Sequence, residues 1–190
     1  MNAQSKLSTG RTELQHPVLG QLKCVYAYEV APMWYAQYGI RLRPLPVAQT
    51  WELAKKLPLF GQPDALTVRV SSADWTKVLA GTHTEGDLSE GQVDAYEAFV
   101  RGLVSIEAQV AQGVFDHYHQ CLEWTDYGHD DFKPVASPEP LLRQCHQWEL
   151  QIGVQRGDSS SRFELLCRCP WDEEHGFCAE FRGGKLVALD

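Results

Sequence analysis

The densest group of reactive side chains in the sequence is the run Trp-Asp-Glu-Glu-His-Gly at residues 171–176. Adjacent carboxylates can bind a hard cation or a basic side chain, and a glutamate close to a histidine can act with it as acid and base. In a structural role, the tryptophan would fill the core, the carboxylates would accept backbone N–H groups, and Gly176 would adopt a positive φ. We interpret the run as a partner-binding loop and leave the structural, catalytic and metal-binding alternatives open. The candidate partner-binding residues are Trp171, Asp172, Glu173, Glu174 and His175.

A second group combines three cysteines with the histidine of this run. Cys167, Cys169, His175 and Cys178 are ligand types that zinc prefers. However, Cys167 and Cys169 share the core face of a predicted strand, where a free cysteine packs as a small hydrophobic residue. The spacing also differs from the paired Cys-x-x-Cys pattern of common zinc sites. The sequence therefore favours packing, and we assign no metal and no cofactor to these residues.

A third group, Asp-His-Tyr-His-Gln-Cys at residues 116–121, ends a predicted helix. On a helix His117 and His119 point about 200° apart and cannot hold one ion together, whereas His117 and Cys121 are one turn apart and can meet. Acidic residues and His129 follow in the next loop, although a helix end with a solvated polar loop also explains this composition. A metal-dependent hydrolase that uses the histidines and carboxylates near 116–131 and 172–175 is therefore our alternative function.

Motifs of the common enzyme classes are absent from the sequence. It has no Gly-rich phosphate loop, no Gly-x-Ser-x-Gly, no His-Glu-x-x-His and no dinucleotide fingerprint. The three serines at 159–161 lie in a predicted hairpin turn, which is a poor position for a nucleophile. These absences favour a non-enzymatic protein, and we assign no catalytic residue.

The composition indicates which partners the protein can attract. The 190 residues include 17 Lys and Arg against 25 Asp and Glu, a formal net charge of −8. This charge repels nucleic-acid phosphates and attracts a basic protein. The polar start lacks the apolar segment of a signal peptide, and no stretch has the roughly 18 apolar residues needed to span a bilayer. We expect a cytoplasmic protein without membrane or nucleic-acid partners, whose six cysteines are free thiols.

The hydrophobic pattern predicts one α+β domain over residues 16–190, preceded by a flexible tail over residues 1–15. Period-two alternation indicates strands in the first half, and a short helix is predicted over Thr50–Lys56. Those strands are expected over Leu22–Tyr28, Trp34–Leu42 and Asp64–Val70.

The second half contains the longest periodic segment. Apolar residues at helical spacings predict a helix from Glu90 to Glu123 with Ser89 as its N-cap, and Pro138–His146 is expected to form a short helix. Four strands joined by short connections should then pair as neighbours. They are expected over Trp148–Val154, Phe163–Cys169, Phe177–Phe181 and Lys185–Leu189. We therefore predict an antiparallel sheet with a C-terminal four-stranded meander, packed against one long helix plus short helices.

The C-terminal motifs resemble a bacterial family of uncharacterised domains. Its chains end in a strand, a Trp-Asp-Glu-Glu-His-Gly loop and a hairpin of the form Phe-x-Gly-Gly-Lys-Leu-Val, which here occupies Phe181–Val187. The run His-Pro-Val-Leu-Gly at 16–20, Trp34 and His117-Tyr118 also resemble the family, so the similarity covers roughly residues 16–190. Its members are similar to small domains found beside bacterial toxin systems, some of which are immunity proteins.

The resemblance implies a fold and no catalytic residue. Together with the acidic charge and the missing enzyme motifs, it predicts a non-enzymatic protein-binding domain, most concretely an immunity-like protein that neutralises a basic toxin. An accessory protein without a fixed partner remains a third hypothesis.

Overall fold

The computed structural model describes residues 12–29, 47–71, 88–124, 132–153 and 161–189, and these residues form an α+β fold. The strands are β1 (Glu13–His16), β2 (Gly20–Glu29), β3 (Val47–Leu53), β4 (Leu57–Leu59), β5 (Gln62–Ser71), β6 (His146–Ile152), β7 (Arg162–Cys169), β8 (Asp172–Arg182) and β9 (Lys185–Leu189). The helices are α1 (Glu90–Trp124) and α2 (Glu139–Leu142).

The described strands form one nine-stranded sheet in the order β1-β2-β3-β5-β6-β7-β8-β9, with β4 paired to β5. Neighbouring strands are antiparallel except β5 and β6, which are parallel. A parallel pair needs a crossover connection, and the chain between these two strands includes α1. The predicted C-terminal meander is confirmed as β6 to β9, while the sheet as a whole is mixed.

Helix α1 begins where its sequence predicts. The Ser89 hydroxyl accepts the Gln92 backbone N–H at 3.3 Å, and the Gln92 side-chain oxygen accepts the Ser89 N–H at 2.9 Å. These reciprocal bonds form a capping box. The Gln92 amide also donates to the carbonyl of Ser71, so the same residue ties the start of α1 to the end of β5.

The core lies between α1 and one face of the sheet. Alternate residues of the central strands are buried there, beside apolar residues of the helix such as Phe99, Ile106 and Val110. Phe163 of β7 stacks on Phe181 of β8 at a centroid distance of 5.1 Å and meets Phe99 edge-on at 5.5 Å. This aromatic group joins the helix to the meander, and such pairs contribute beyond their buried area.

Several local predictions need correction. Residues 13–15 were expected in a flexible tail but lie in β1, because they pair with residues 21–23 of β2. The segment 50–56, predicted as a helix, lies mostly in β3, since Thr50–Glu52 pair with both β2 and β5. The predicted helix 138–146 is reduced to α2. The strand predicted over residues 34–42 lies outside the described residues. No helix in the described ranges is long and apolar enough to cross a membrane.

The side chain of Gln109 in α1 forms hydrogen bonds with two backbone groups at the start of β9, where a further strand would otherwise bond. Its amide nitrogen donates to the Gly184 carbonyl at 3.1 Å, and its amide oxygen accepts the Leu186 N–H at 2.9 Å. Edge strands expose unpaired backbone groups that promote association. One side chain therefore satisfies two edge groups and holds the helix against the hairpin.

Replacing Gln109 by leucine is expected to lower the free energy of unfolding by about 1–3 kcal/mol, because two backbone groups lose their partner. Amide hydrogen exchange should accelerate most at Leu186. Gln112→Leu is the matched control, since Gln112 is exposed on the same helix and donates to the Asp116 side chain. Equal exchange at Leu186 in both variants would contradict the proposed edge contact.

Candidate functional site

The run at 171–176 is a turn followed by a strand, which corrects the predicted loop. Pro170 and Trp171 form the turn, and β8 begins at Asp172, which pairs with Cys169. An irregularity follows, after which Phe177 pairs with Cys167. Gly176 lies at this irregularity with φ 76°, as the structural alternative predicted.

Trp171 is half-buried against the end of α1. Its indole N–H donates to Nδ1 of His117 at 3.1 Å, and its ring meets Tyr118 edge-on at 5.2 Å. Tyr118 in turn donates its hydroxyl to the Lys133 carbonyl at 2.7 Å. Trp171 therefore has a packing role in this structure, and its position is fixed by the helix end.

Asp172 connects the start of β8 to both histidines nearby. Its Oδ1 accepts the His175 backbone N–H at 3.0 Å and lies 3.3 Å from the His175 ring Nδ1. Its Oδ2 lies 3.8 Å from Nε2 of His117. The carboxylate thus stabilises the backbone of the run, and one of its oxygens faces the helix.

His117, Cys121 and Asp172 bring three possible metal ligands together. The His117 Nε2 and Cys121 Sγ atoms are 3.8 Å apart, which confirms that these residues meet across one helical turn. One ligand atom from each of the three residues lies within 4.8 Å of the others. Among the described residues, this is the only group of three or more His, Cys, Asp or Glu side chains that meets this distance.

The hydrogen bond from Trp171 determines which ring nitrogen of neutral His117 carries the proton. An indole N–H can only donate, so Nδ1 must offer a lone pair and the neutral ring carries its proton on Nε2. Burial also favours the neutral ring. It lowers the pKa of His117, although the charge of Asp172 acts to raise this pKa. Burial, and then the charge of Asp172, raise the pKa of the Cys121 thiol. Because Nε2 already carries a proton, His117 cannot activate Cys121 as a general base in this arrangement.

The cysteines predicted near the C-terminus do not converge with His175. Cys167 and Cys169 are buried on the core face, where burial raises the pKa of Cys169 to about 12. Cys178 pairs with Leu166, on the opposite face of the sheet from Cys167. The His175 side chain is 75% exposed. The predicted position of Cys167 and Cys169 on the core face is therefore confirmed.

The remaining polar residues of the third group have other neighbours. The Nε2 atom of His119 lies 3.3 Å from the Val135 carbonyl, and its ring packs against Phe115. Asp116 is exposed and bonds to Gln112. Residues 125–131, which include His129, lie outside the described residues. The alternative function placed possible ligands in both segments, near 116–131 and 172–175, but the specific cluster of His117, Cys121 and Asp172 was not predicted.

Glu173, Glu174 and His175 form an exposed edge beside a groove of about 710 Å³. The groove lies on the sheet face opposite the core, where its polar lining includes Arg69, Glu149, Arg168, Glu174 and His175. Arg69 is paired with both Glu52 and Glu149. Arg168 donates to the Glu173 carbonyl at 3.2 Å. Because the exposed Lys56 also lines the groove, charges of both signs are present, and Glu173 and Glu174 place two carboxylates at its rim.

The fold and this site together define an α+β domain whose mixed sheet carries a long helix on one face and a polar groove on the other. Residues 43–190 match the domain of unknown function DUF6985, and the chain belongs to this family. Neither the curated proteins nor the solved structures contain a significant match to the chain.

Proposed function

We propose that the chain is a non-enzymatic protein-binding domain that contacts a basic partner through Glu173, Glu174 and His175. The observation that carries this proposal is that the three side chains are exposed, while the residues on either side of them are fixed. Trp171 is held by His117, and Gly176 is enclosed by the backbone of β7.

A fixed backbone favours binding because less conformational freedom is lost when the complex forms. The bond from the His175 N–H to Asp172 and the bond from Arg168 to the Glu173 carbonyl both hold the exposed run in one conformation. The predicted set of five residues therefore divides by role. Trp171 and Asp172 position the segment, and Glu173, Glu174 and His175 present polar groups to a partner.

Charge supports a basic partner. Two adjacent exposed carboxylates lie at the rim of the groove, and the whole chain has a net charge of −8. Complementary rim charges mainly accelerate association and select the partner. In its more specific form the proposal is an immunity-like protein that neutralises a toxin, which is supported by the resemblance of the Trp-Asp-Glu-Glu-His-Gly run and by the acidic charge.

The test begins with the partner recovered at equal stoichiometry from the native host and then purified. Glu174→Lys is expected to slow association with this partner about threefold to tenfold at low salt, with a smaller effect at high salt, because a rim charge is reversed. Surface plasmon resonance at two salt concentrations measures both rates. For the immunity-like form, co-expression of the wild type should protect cells from the partner, and Glu174→Lys should protect them less.

Asp94→Lys is the matched control for this charge reversal. Asp94 is exposed on α1, 23 residues before His117, which corresponds to about 35 Å along a helix. It changes the net charge by the same amount and is expected to leave association within about twofold of wild type. Equal slowing by Asp94→Lys and Glu174→Lys would show that the partner senses only total charge, and it would overturn the assigned surface.

A metal-dependent hydrolase is the second candidate, and one observation favours it. His117 and Asp172, from the two segments predicted to supply its ligands, face each other with Cys121 beside them. Such an enzyme would need a metal-bound water as nucleophile. The protein-binding role requires no hydrolysis, so hydrolytic activity that depends on added metal, and not metal binding alone, separates the two candidates.

A further inference from the structure

We propose that His117, Cys121 and Asp172 form a binding site for a zinc-type divalent transition-metal ion. This inference goes beyond the proposed protein-binding function and does not depend on it. It rests on the positions of three donor atoms and on their chemistry.

The distance from His117 to Asp172 fits a shared ion better than a hydrogen bond, and the distance from His117 to Cys121 is compatible with either a shared ion or a weak N–H···S bond. His117 Nε2 lies 3.8 Å from both the Cys121 Sγ and the Asp172 Oδ2. An N–H···O hydrogen bond is about 2.7–3.2 Å long, so the histidine and the aspartate are too far apart for one. Zinc bonds of about 2.0–2.3 Å in a tetrahedron place neighbouring ligand atoms roughly 3.3–3.6 Å apart. The His117 nitrogen and its two neighbours therefore need to approach by only a few tenths of an ångström, and the Cys121 and Asp172 ligand atoms already lie within 4.8 Å of each other.

The three ligands are held by rigid elements. His117 and Cys121 are one turn apart on α1, and Asp172 is fixed by the His175 backbone N–H. Sites whose ligands come from helices and strands hold their geometry better than sites on loops. Little ordering is therefore required when an ion binds.

The donor set selects the kind of metal. A thiolate and an imidazole favour zinc and cobalt, whereas calcium and magnesium prefer oxygen ligands alone. Once Cys121 loses its proton, its thiolate and the Asp172 carboxylate together balance a divalent charge. Three protein ligands leave a fourth position of the tetrahedron for water.

Metal binding must displace the hydrogen bond between Trp171 and His117. A neutral imidazole that coordinates through Nε2 carries its proton on Nδ1, where it would face the donor N–H of Trp171. Loss of one hydrogen bond weakens binding by roughly tenfold, which is small beside the affinity of typical zinc sites. The ion should therefore bind and shift Trp171. Removing the indole N–H in Trp171→Phe should tighten binding, by up to about tenfold.

The test uses the full chain, freed of metal with a chelator and titrated with Zn²⁺ and Co²⁺. The wild type is expected to bind one ion per chain and to show a thiolate-to-cobalt charge-transfer absorption band. Zn²⁺ should raise the melting temperature, because binding stabilises the native state, and Ca²⁺ should not. Cys121→Ser should abolish the absorption band and weaken Zn²⁺ binding at least about tenfold.

Cys178→Ser is the matched control, since it removes a part-exposed thiol from the other face of the sheet. It should keep the band and the affinity of wild type. Thermal unfolding of each metal-free variant checks that it is folded, and Trp171→Phe gives an independent readout if Cys121→Ser is unstable. Three results would each overturn the site: no stoichiometric ion in the wild type, a band that survives in folded Cys121→Ser, or weaker Zn²⁺ binding in folded Trp171→Phe.

Discussion

Replacing Gly176 by alanine is expected to lower the free energy of unfolding by about 3 kcal/mol. Gly176 has a φ of 76°, a region that costs other residues about 1–2 kcal/mol. In addition, a Cβ atom at this position would lie 2.6 Å from the carbonyl oxygen of Cys167. That oxygen belongs to the backbone of β7 and cannot turn aside, so the strands must separate locally at a further cost of about 1–3 kcal/mol.

Gly184→Ala separates these two causes. Gly184 has nearly the same φ, 75°, but among the described residues a Cβ atom there would meet no heavy atom within 4 Å apart from its chain neighbours. We expect this control to cost only about 1–2 kcal/mol. Urea unfolding followed by tryptophan fluorescence measures both variants. If the two substitutions were equally destabilising, the close contact between Gly176 and β7 would contribute nothing.

Replacing Phe163 by alanine is expected to destabilise the domain most, by about 3–5 kcal/mol. Phe163 is 2% exposed and contacts Phe99 of α1 and Phe181 of β8 through its ring. Its removal leaves a cavity between the helix and the meander, and both ring contacts are lost. Since the free energy of unfolding of a natural domain is about 5–15 kcal/mol, the variant would retain little stability.

Calorimetry or urea unfolding measures the loss, and Val104→Ala provides the control. Val104 is 82% exposed on α1, so its truncation should change stability by less than about 0.5 kcal/mol. A double-mutant cycle of Phe163 with Phe181 should give a coupling of about 0.5–1.5 kcal/mol from the stacked pair. A loss below about 1 kcal/mol for Phe163→Ala would contradict its central place in the core.

The long helix and the C-terminal meander could be predicted because their patterns are long and their connections short. The apolar spacing of α1 continues over 35 residues, and the capping pair Ser89 and Gln92 marks its start. In the meander, alternation over each strand fixes which residues face the core, and Gly183-Gly184 marks the last hairpin. Local chemistry alone favours these structures.

Short segments were predicted less well because they fit more than one period. Over residues 50–56, Trp51 and Leu53 have the spacing of a strand, whereas Trp51 and Ala54 have that of a helix. Pairing with β2 on one side and β5 on the other makes this segment a strand. Residues 172–176 were predicted as a loop between two strands but lie in β8, because Asp172 pairs with Cys169.

The sequence by itself determined the local parts of the site. It placed His117 and Cys121 one turn apart, put Cys167 and Cys169 on the core face, and assigned a positive φ to Gly176 as one alternative. Only the tertiary structure brought Asp172 and Trp171 to the end of α1. Trp171 and His117, which form a hydrogen bond there, are 54 residues apart in sequence. The physical reason is that helical and strand periodicities fix directions within an element, whereas contacts between distant elements depend on how the whole sheet packs against the helix.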